Sequence, residues 1–190
     1  MSLVISLMVL SLITALGGAL ALGTVTETAI AASYREGAET FYAAEAAVQF
    51  AMQEVAAVPD WEEITAGDRT SSFVDGPPAG ARRVGAAMLD LTTATEDVVT
   101  AAGDAGGEVS YHLYVYGRFA DLIPAAAPSP YYVVAWIAGL GTTETEGWPI
   151  MRIVGRAYGP TGSRRSVVVS VTRLPDSEEA PEVLSWYELR

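Results

Sequence analysis

The sequence predicts an α+β fold in which one long N-terminal α-helix packs on a small antiparallel β-sheet head. The long N-terminal stretch lacks proline and has no charged side chain before Glu27. After Gly107 the spacing of apolar residues changes from three or four to two, which is the period of a β-strand. We therefore divide the chain into an apolar helix half (1–26), an amphipathic helix half (27–58) and a globular α+β head with a C-terminal antiparallel sheet (59–190).

The apolar half is predicted to cross a membrane. One helix over residues 1–58 would be roughly 85 Å long, whereas a hydrocarbon core is about 30 Å thick. No Lys or Arg precedes Arg35, and the apolar run is longer than the roughly 7–15 residues of a signal-peptide core. We expect that a short basic leader has been removed directly before this run. A bitopic anchor that is oriented by other features is the alternative.

Small residues cluster in the apolar half, where they allow a neighbouring helix to approach closely. Glycine also costs about 1 kcal/mol in a helix interior, so Gly17 and Gly18 mark either a packing notch or a place where the helix unwinds. The sequence leaves both options open. The candidate positions for packing in a membrane or filament are Met1, Leu3, Ile5, Leu7, Gly17, Gly18, Ala21 and Gly23.

The second half of the helix is amphipathic. An apolar stripe recurs at three- and four-residue spacing on one face, and it consists of Ile30, Tyr34, Phe41, Ala44, Val48, Met52 and Val55. Phe50 falls almost opposite Phe41, with Ala43, Ala46 and Ala47 beside it. This second, small-residue side indicates contact with other helices, although alanine there also serves helix propensity alone.

Glu45 lies at the edge of the apolar stripe. It is either a partly solvated charge or the partner of an arginine such as Arg35 in a neighbouring subunit. The candidate positions for packing on the head or between subunits are Phe41, Ala44, Glu45, Val48, Phe50 and Met52.

In the head, proline at 59 ends the helix, and residues 75–80 and 103–107 have loop composition. Residues 86–99 fit a short helix or a strand equally well. Four strand-like runs follow, over residues 108–119, 131–140, 150–158 and 166–173, and the last two are predicted to form an antiparallel hairpin.

Two expectations concern the end of the chain. In the final predicted strand, Val167, Val169 and Val171 alternate with polar residues, so we expect one buried face. The tail, residues 181–190, is apolar enough to dock back on the head.

Composition argues against several functions. The formal net charge is −12 and no Lys is present, so an acidic surface would repel nucleic acid. The chain has no Cys and a single histidine, His112, which lacks the partners of a zinc site. No nucleophile motif, phosphate loop or dinucleotide fingerprint occurs. We expect no catalytic, cofactor or metal site, and no enzyme.

The N-terminal region resembles the type IV pilin class, and within it the PilX-type minor pilins. The similarity covers about residues 1–57 and depends on LVISLMVLSLITALGGALAL followed by FYAAEAAVQFAM. The family's F-x-A-A-E-A-A segment corresponds here to Phe41, Ala43, Ala44, Glu45, Ala46 and Ala47.

The resemblance implies a leader cut by a prepilin peptidase, with Met1 or a near neighbour as the first mature residue. It implies insertion in the bacterial inner membrane, followed by incorporation into an extracellular pilus or a periplasmic pseudopilus. The implied partners are other minor and major pilins through their helices, with a tip adhesin as a further candidate.

Two departures from the family pattern refine the expectation. Most major pilins carry Glu at mature position five, but Ile5 stands here, so this chain offers no carboxylate to a buried amine of the subunit below. Proline near position 22 is also absent, and Gly17, Gly18 and Gly23 are its candidate substitutes. We therefore expect a minor pilin that primes assembly or caps the tip. The alternatives are a major pilin and a bitopic membrane protein whose extracytoplasmic β domain binds a ligand.

Overall fold

The computed structural model describes residues 2–102, 109–122, 129–143, 147–173 and 181–189. The chain divides into two compact units, Met1–Glu36 and Gly37–Arg190. In chain order the elements are α1 (Ser2–Ala56), α2 (Glu62–Thr65), β1 (Ala81–Val84), β2 (Ala87–Asp90), α3 (Leu91–Ala101), β3 (His112–Arg118), α4 (Phe119–Leu122), β4 (Tyr132–Thr142), β5 (Pro149–Tyr158), β6 (Arg164–Thr172) and β7 (Glu182–Leu189). The predicted α+β class, a long N-terminal helix with antiparallel sheets, is confirmed.

Helix α1 ends at Ala56, two residues before the predicted end and three before Pro59. The last carbonyl groups of a helix have no partner inside it. Here the guanidinium of Arg173 supplies one, because it donates to the carbonyl oxygens of Ala56, Val58 and Pro59. The end of the helix is thereby tied to the residue that follows β6.

The main sheet is an antiparallel meander in the order β3-β4-β5-β6-β7. The predicted hairpin is present, since β5 pairs with β6 from Ile150↔Thr172 to Tyr158↔Arg164. The tail forms β7 and pairs antiparallel with β6. It docks through backbone pairing and through Leu189, which packs against a core cluster of the head, while Leu184, Trp186 and Tyr187 are 40–48% exposed.

The C-terminal part of α1 packs on one face of this sheet. Its buried residues, among them Ala44, Val48 and Val55, form one core with inward-facing residues of β3 to β6. The contact is close because β5 carries glycine at its centre. A Cβ atom on Gly155 would lie 2.7 Å from the Ala44 carbonyl oxygen and would collide with the Val48 side chain. Only glycine lets the two backbones approach this far.

The opposite face of the sheet is also covered. Trp136, Val154 and Val168 form a second core there with Leu91 and Val98 of α3. Residues 166–172 are buried without interruption. The prediction of one buried face for this strand was therefore wrong, because the period of two locates the faces of a strand but does not reveal that a second layer covers the polar one.

The ambiguous stretch over residues 86–99 contains both kinds of structure. It begins as β2, which pairs with β1 in a two-stranded sheet, and it continues directly as α3. The strand changes to a helix at Asp90. Its backbone is still extended, and its carboxylate accepts a hydrogen bond from the Thr93 amide at 2.9 Å. An N-cap of this kind starts a helix without an intervening loop.

The two edges of the main sheet differ. Residues 71–75 lie along β3, where the amides of Ser71 and Asp75 donate to the carbonyl oxygens of Tyr114 and Tyr116, and the Tyr116 amide donates to Phe73. The outer edge of β7 has no pairing strand within the described ranges. Residues 75–80 have no regular structure, as predicted, whereas the predicted loop over 103–107 lies outside the described residues.

Candidate assembly surface

In the first unit, the helix surface carries no charged side chain over residues 2–26 and is predominantly apolar on all sides. Every residue from 2 to 35 is exposed. The candidate packing residues Leu3, Ile5 and Leu7 are 76%, 61% and 62% exposed, while Met1 lies outside the described residues. By length and composition this helix could cross a membrane, with an 18-residue window of mean hydropathy 2.4 that is 0% buried.

The hydroxyl groups in this segment are satisfied within the helix. Each donates to the carbonyl oxygen four residues earlier, which keeps a hydroxyl from facing hydrocarbon without a partner. The residues with this bond are Ser6, Ser11, Thr14, Thr24, Thr26 and Thr28. The segment therefore presents no unmet side-chain donor at these positions.

Small residues interrupt this apolar surface, and the helix is regular through all of them. A Cβ atom added at Gly17, Gly18 or Gly23 would meet no atom of the described chain within 4 Å, and Ala21 is exposed. These positions form shallow notches on the helix, which is the geometry that close helix–helix packing requires.

In the second unit the helix buries a face of small residues. Of the candidate positions, Ala44 and Val48 are fully buried, whereas Phe41, Phe50 and Met52 are partly buried at the border of the core. Ala43 and Ala47 are also buried in this core. The side that we interpreted as a contact for other helices therefore contains residues that already pack on the chain's own sheet.

The outward side of the same helix segment lines a groove of about 800 Å³. Phe50, Met52 and the partly buried Glu45 lie in it, beside exposed Tyr42, Gln49 and Gln53. Glu45 thus occupies the partly solvated position that the sequence suggested as one of its two options. Its pairing with an arginine of another subunit stays a prediction.

An aromatic cluster connects the helix with the last strand. The ring of Phe41 makes edge-on contacts with Tyr42 and Trp186, at centroid distances of 5.8 and 6.0 Å. Trp186 is large and nearly half exposed, although strand residues of its size are usually buried. Sequence reasoning missed this cluster, because Phe41 and Trp186 are far apart in the chain.

Polar contacts fix the helix on the head. The Tyr131 hydroxyl donates to Glu39 Oε2 at 2.7 Å, and the hydroxyl groups of Thr40 and Ser163 are 2.8 Å apart. Further along, the Glu54 carboxylate accepts from the Ser72 amide at 3.1 Å. Burial, together with the negative charge of Glu54, raises the pKa of Tyr114 to about 12. These bonds attach one side of the helix segment to the head and leave its other side facing outward.

The described residues contain no group of three or more His, Asp or Glu side chains placed to hold a metal ion. His112 is partly buried on β3, with its ring against Gly67. The absence of catalytic, cofactor and metal sites stays a prediction from the sequence. No protein-family model, curated protein or solved structure matches the chain.

Proposed function

We propose that this chain is a PilX-like minor pilin of a type IV pilus or a related machine. The observation that carries the proposal is the contrast within α1, whose apolar first segment is exposed on all sides while its last segment is buried against an antiparallel sheet. An apolar surface of this extent is not stable in water and needs lipid or other helices around it. In a subunit that moves from the membrane to a filament, this surface contacts lipid first and the helices of other subunits afterwards.

Two features support filament incorporation beyond simple anchoring. The notches at Gly17, Gly18 and Gly23 admit close packing of a second helix, which lipid chains do not require. The Ser and Thr hydroxyl groups are bonded within the helix, so the surface can exchange lipid for protein without exposing a polar group. The partners are other minor and major pilins, which contact this chain through their helices.

The charge pattern favours a position at the end of a filament. No acidic residue precedes Glu27, so the apolar segment has no carboxylate for a buried amine of an adjacent subunit. An unpaired buried charge costs several kcal/mol, on the order of 3–5. A subunit that is first to assemble, or that lies at the tip, has a neighbour on one side only. The unpaired amine of a second neighbour, and its free-energy cost, are then absent. The head would then be displayed outside, where a tip adhesin is a candidate partner.

Cysteine cross-linking tests the proposal with little background, because the chain has no Cys. Ser11→Cys places a thiol in the apolar segment, and Thr92→Cys places one on an exposed position of α3 as the matched control. Each variant is expressed in the native host, and sheared filaments are treated with a short thiol–amine or photoactivatable cross-linker. We expect Ser11→Cys, and not Thr92→Cys, to yield adducts with other subunits in the filament fraction.

The composition of the sheared filament and membrane fractions separates the alternatives. A major pilin would account for most of the subunits in purified filaments, whereas the proposal expects a few copies per filament. A bitopic protein with a ligand-binding β domain would stay in the membrane fraction after shearing and give no adducts with pilins. Either result would contradict the proposal.

A further inference from the structure

A crevice rich in arginine lies on the face of the main sheet that α3 covers. It has a volume of about 530 Å³, and β5, β6 and the C-terminal part of α3 contribute to its walls. Arg156, Arg164 and Arg165 line it together with Asp97. Such a grouping is unexpected in a chain whose net charge is −12.

Arg156 is buried in the wall of this crevice and is only 5% exposed. Its Nε donates to the Ser166 hydroxyl at 2.8 Å, and its guanidinium stands over the ring of Trp136, 5.9 Å from the centroid. Its Nη1 is buried and has no hydrogen-bond partner within the described part of the chain. A buried charged donor without an acceptor destabilises the folded state, so a ligand that offers an acceptor to this atom would be stabilised here.

The nearest carboxylate does not meet that need. Asp97 Oδ2 is 4.0 Å from Arg156 Nη1 and 3.5 Å from Arg164 Nη1, whereas charge-assisted hydrogen bonds are about 2.7–2.9 Å long. The side chains of Asp97 and Arg164 are 50% and 67% exposed. Asp97 therefore offsets part of the positive charge while leaving the buried donor unbonded.

The local charge balance indicates a ligand with a single negative charge. Arg165 is paired with Glu188 at 2.9 Å, and Asp97 compensates one of the two remaining arginines. Among the described side chains that line the crevice, one positive charge is left over. A carboxylate neutralises it, while a phosphate dianion would leave a net negative charge in an acidic protein.

We propose that this crevice binds a carboxylate group, held by Arg156 Nη1 and by the guanidinium of Arg164. Arginine recognises the planar carboxylate with two parallel N–H groups, and Arg164 is exposed enough to close over an incoming ligand. A second donor lies nearby. The buried Tyr158 hydroxyl lies in an adjoining crevice that shares Asp97 and Arg164, and it is close enough to Arg156 for that positive charge to oppose the rise in its pKa that burial causes. The proposal does not depend on the pilin function.

The indole N–H signal of Trp136 reports on the site, because the Arg156 guanidinium covers its ring. The full chain is labelled with ¹⁵N in a non-ionic detergent and titrated with acetate, phosphate or chloride at constant ionic strength. A blocked Gly-Glu-Gly peptide then distinguishes an acidic side chain from a small free carboxylate. The Trp136 signal is assigned with Trp136→Phe, and the remaining tryptophans serve as internal references.

We expect acetate or the peptide to shift the Trp136 signal saturably, with chloride having no effect. Arg164→Gln should weaken binding about tenfold, the value of roughly one lost charged hydrogen bond, without affecting folding because the side chain is exposed. Asp97→Asn should tighten binding several-fold, since it removes the internal competitor. Arg69→Gln, which removes an exposed arginine charge elsewhere, should bind like the unchanged chain.

Three outcomes would overturn the proposal. The first is a Trp136 shift that does not saturate or that chloride reproduces. The second is equal affinity in the unchanged chain and in Arg164→Gln. The third is tighter binding of phosphate than of acetate, which would contradict the carboxylate assignment.

Discussion

The two segments of helix α1 differ in burial. Residues 2–35 are the more apolar segment, and they are exposed; residues 37–56 contain Glu39, Glu45 and Glu54, and they bury one face completely. Apolar content therefore does not decide which segment is buried within the chain. The later segment is buried because its small residues fit the surface that the sheet offers.

Side-chain size explains the difference. The buried face is built from Ala43, Ala44 and Ala47, with Val48 the largest side chain near its centre, so the helix lies close to β5 and Gly155. The exposed segment is rich in Leu, with Ile and Val beside it, and such bulky apolar side chains suit contact with lipid chains. Large residues would have kept the helix away from the sheet. The comparison can be tested by changing each segment in turn.

The largest effect is expected from a charge in the exposed segment. Leu12→Arg should oppose membrane insertion by about 3 kcal/mol, the cost of arginine near the middle of a spanning helix. Gln53→Arg is the control, because Gln53 is already exposed to water on the head. Extraction of membranes with alkaline carbonate measures the bound fraction. Equal binding of both variants would contradict a membrane role for the segment.

A smaller effect is expected where helix and sheet are closest. Gly155→Ala places a Cβ atom 2.7 Å from the Ala44 carbonyl oxygen, and overpacking of this kind costs about 1–3 kcal/mol. Gly18→Ala is the matched control, because nothing in the described chain lies within 4 Å of the new atom. Chemical denaturation followed by tryptophan fluorescence gives the free energy of unfolding. An unchanged midpoint for Gly155→Ala would show that the close contact is not maintained.

The smallest effect concerns pH. Burial and the charge of Glu54 raise the pKa of Tyr114 to about 12 from the ordinary value of 10.0. The unfolded chain loses this proton first, so stability is unaffected below pH 10 and falls as the pH rises from about 10 to 12. Tyr114→Phe should flatten the curve in this window, as measured by denaturation midpoints.

Part of the slope should persist in that variant, since burial also raises the pKa values of Tyr116, Tyr132 and Tyr158. Membrane insertion should not change over the same range, because residues 1–26 contain no titratable side chain. A curve that is identical with and without Tyr114 would contradict the assignment.

The sequence was sufficient to predict elements that depend on local periodicity. The long helix, the antiparallel hairpin and the strand over residues 131–140 all follow from spacing and turn residues. Residues 86–99 were ambiguous because their fold depends on one cap, Asp90, rather than on a period. Features that depend on distant partners were not predictable, and the second buried face of β6 is one of them.

The candidate surfaces also divide into features that a local sequence pattern predicts and features that depend on distant residues. The exposed residues of the first unit, such as Ile5 and Gly18, were recognisable because lipid-facing helices are apolar all round. From the predicted hairpin, the pairing of Arg156 with Ser166 could have been deduced. The burial of this pair beside α3 could not, because it depends on an element far away in the sequence. The Phe41–Trp186 contact joins the first and last described elements of the chain, and no local pattern indicates it.

The two edges of the main sheet determine where a further strand can pair with it. Residues 71–75 hydrogen-bond with backbone groups of Tyr114 and Tyr116 in the middle of β3, so within the described chain β7 offers the more continuous edge to an incoming strand. An extended segment that pairs there meets the exposed side chains of Val183, Leu184 and Tyr187. Strand addition to this sheet would therefore occur along β7, where β6 covers the other edge of the same strand.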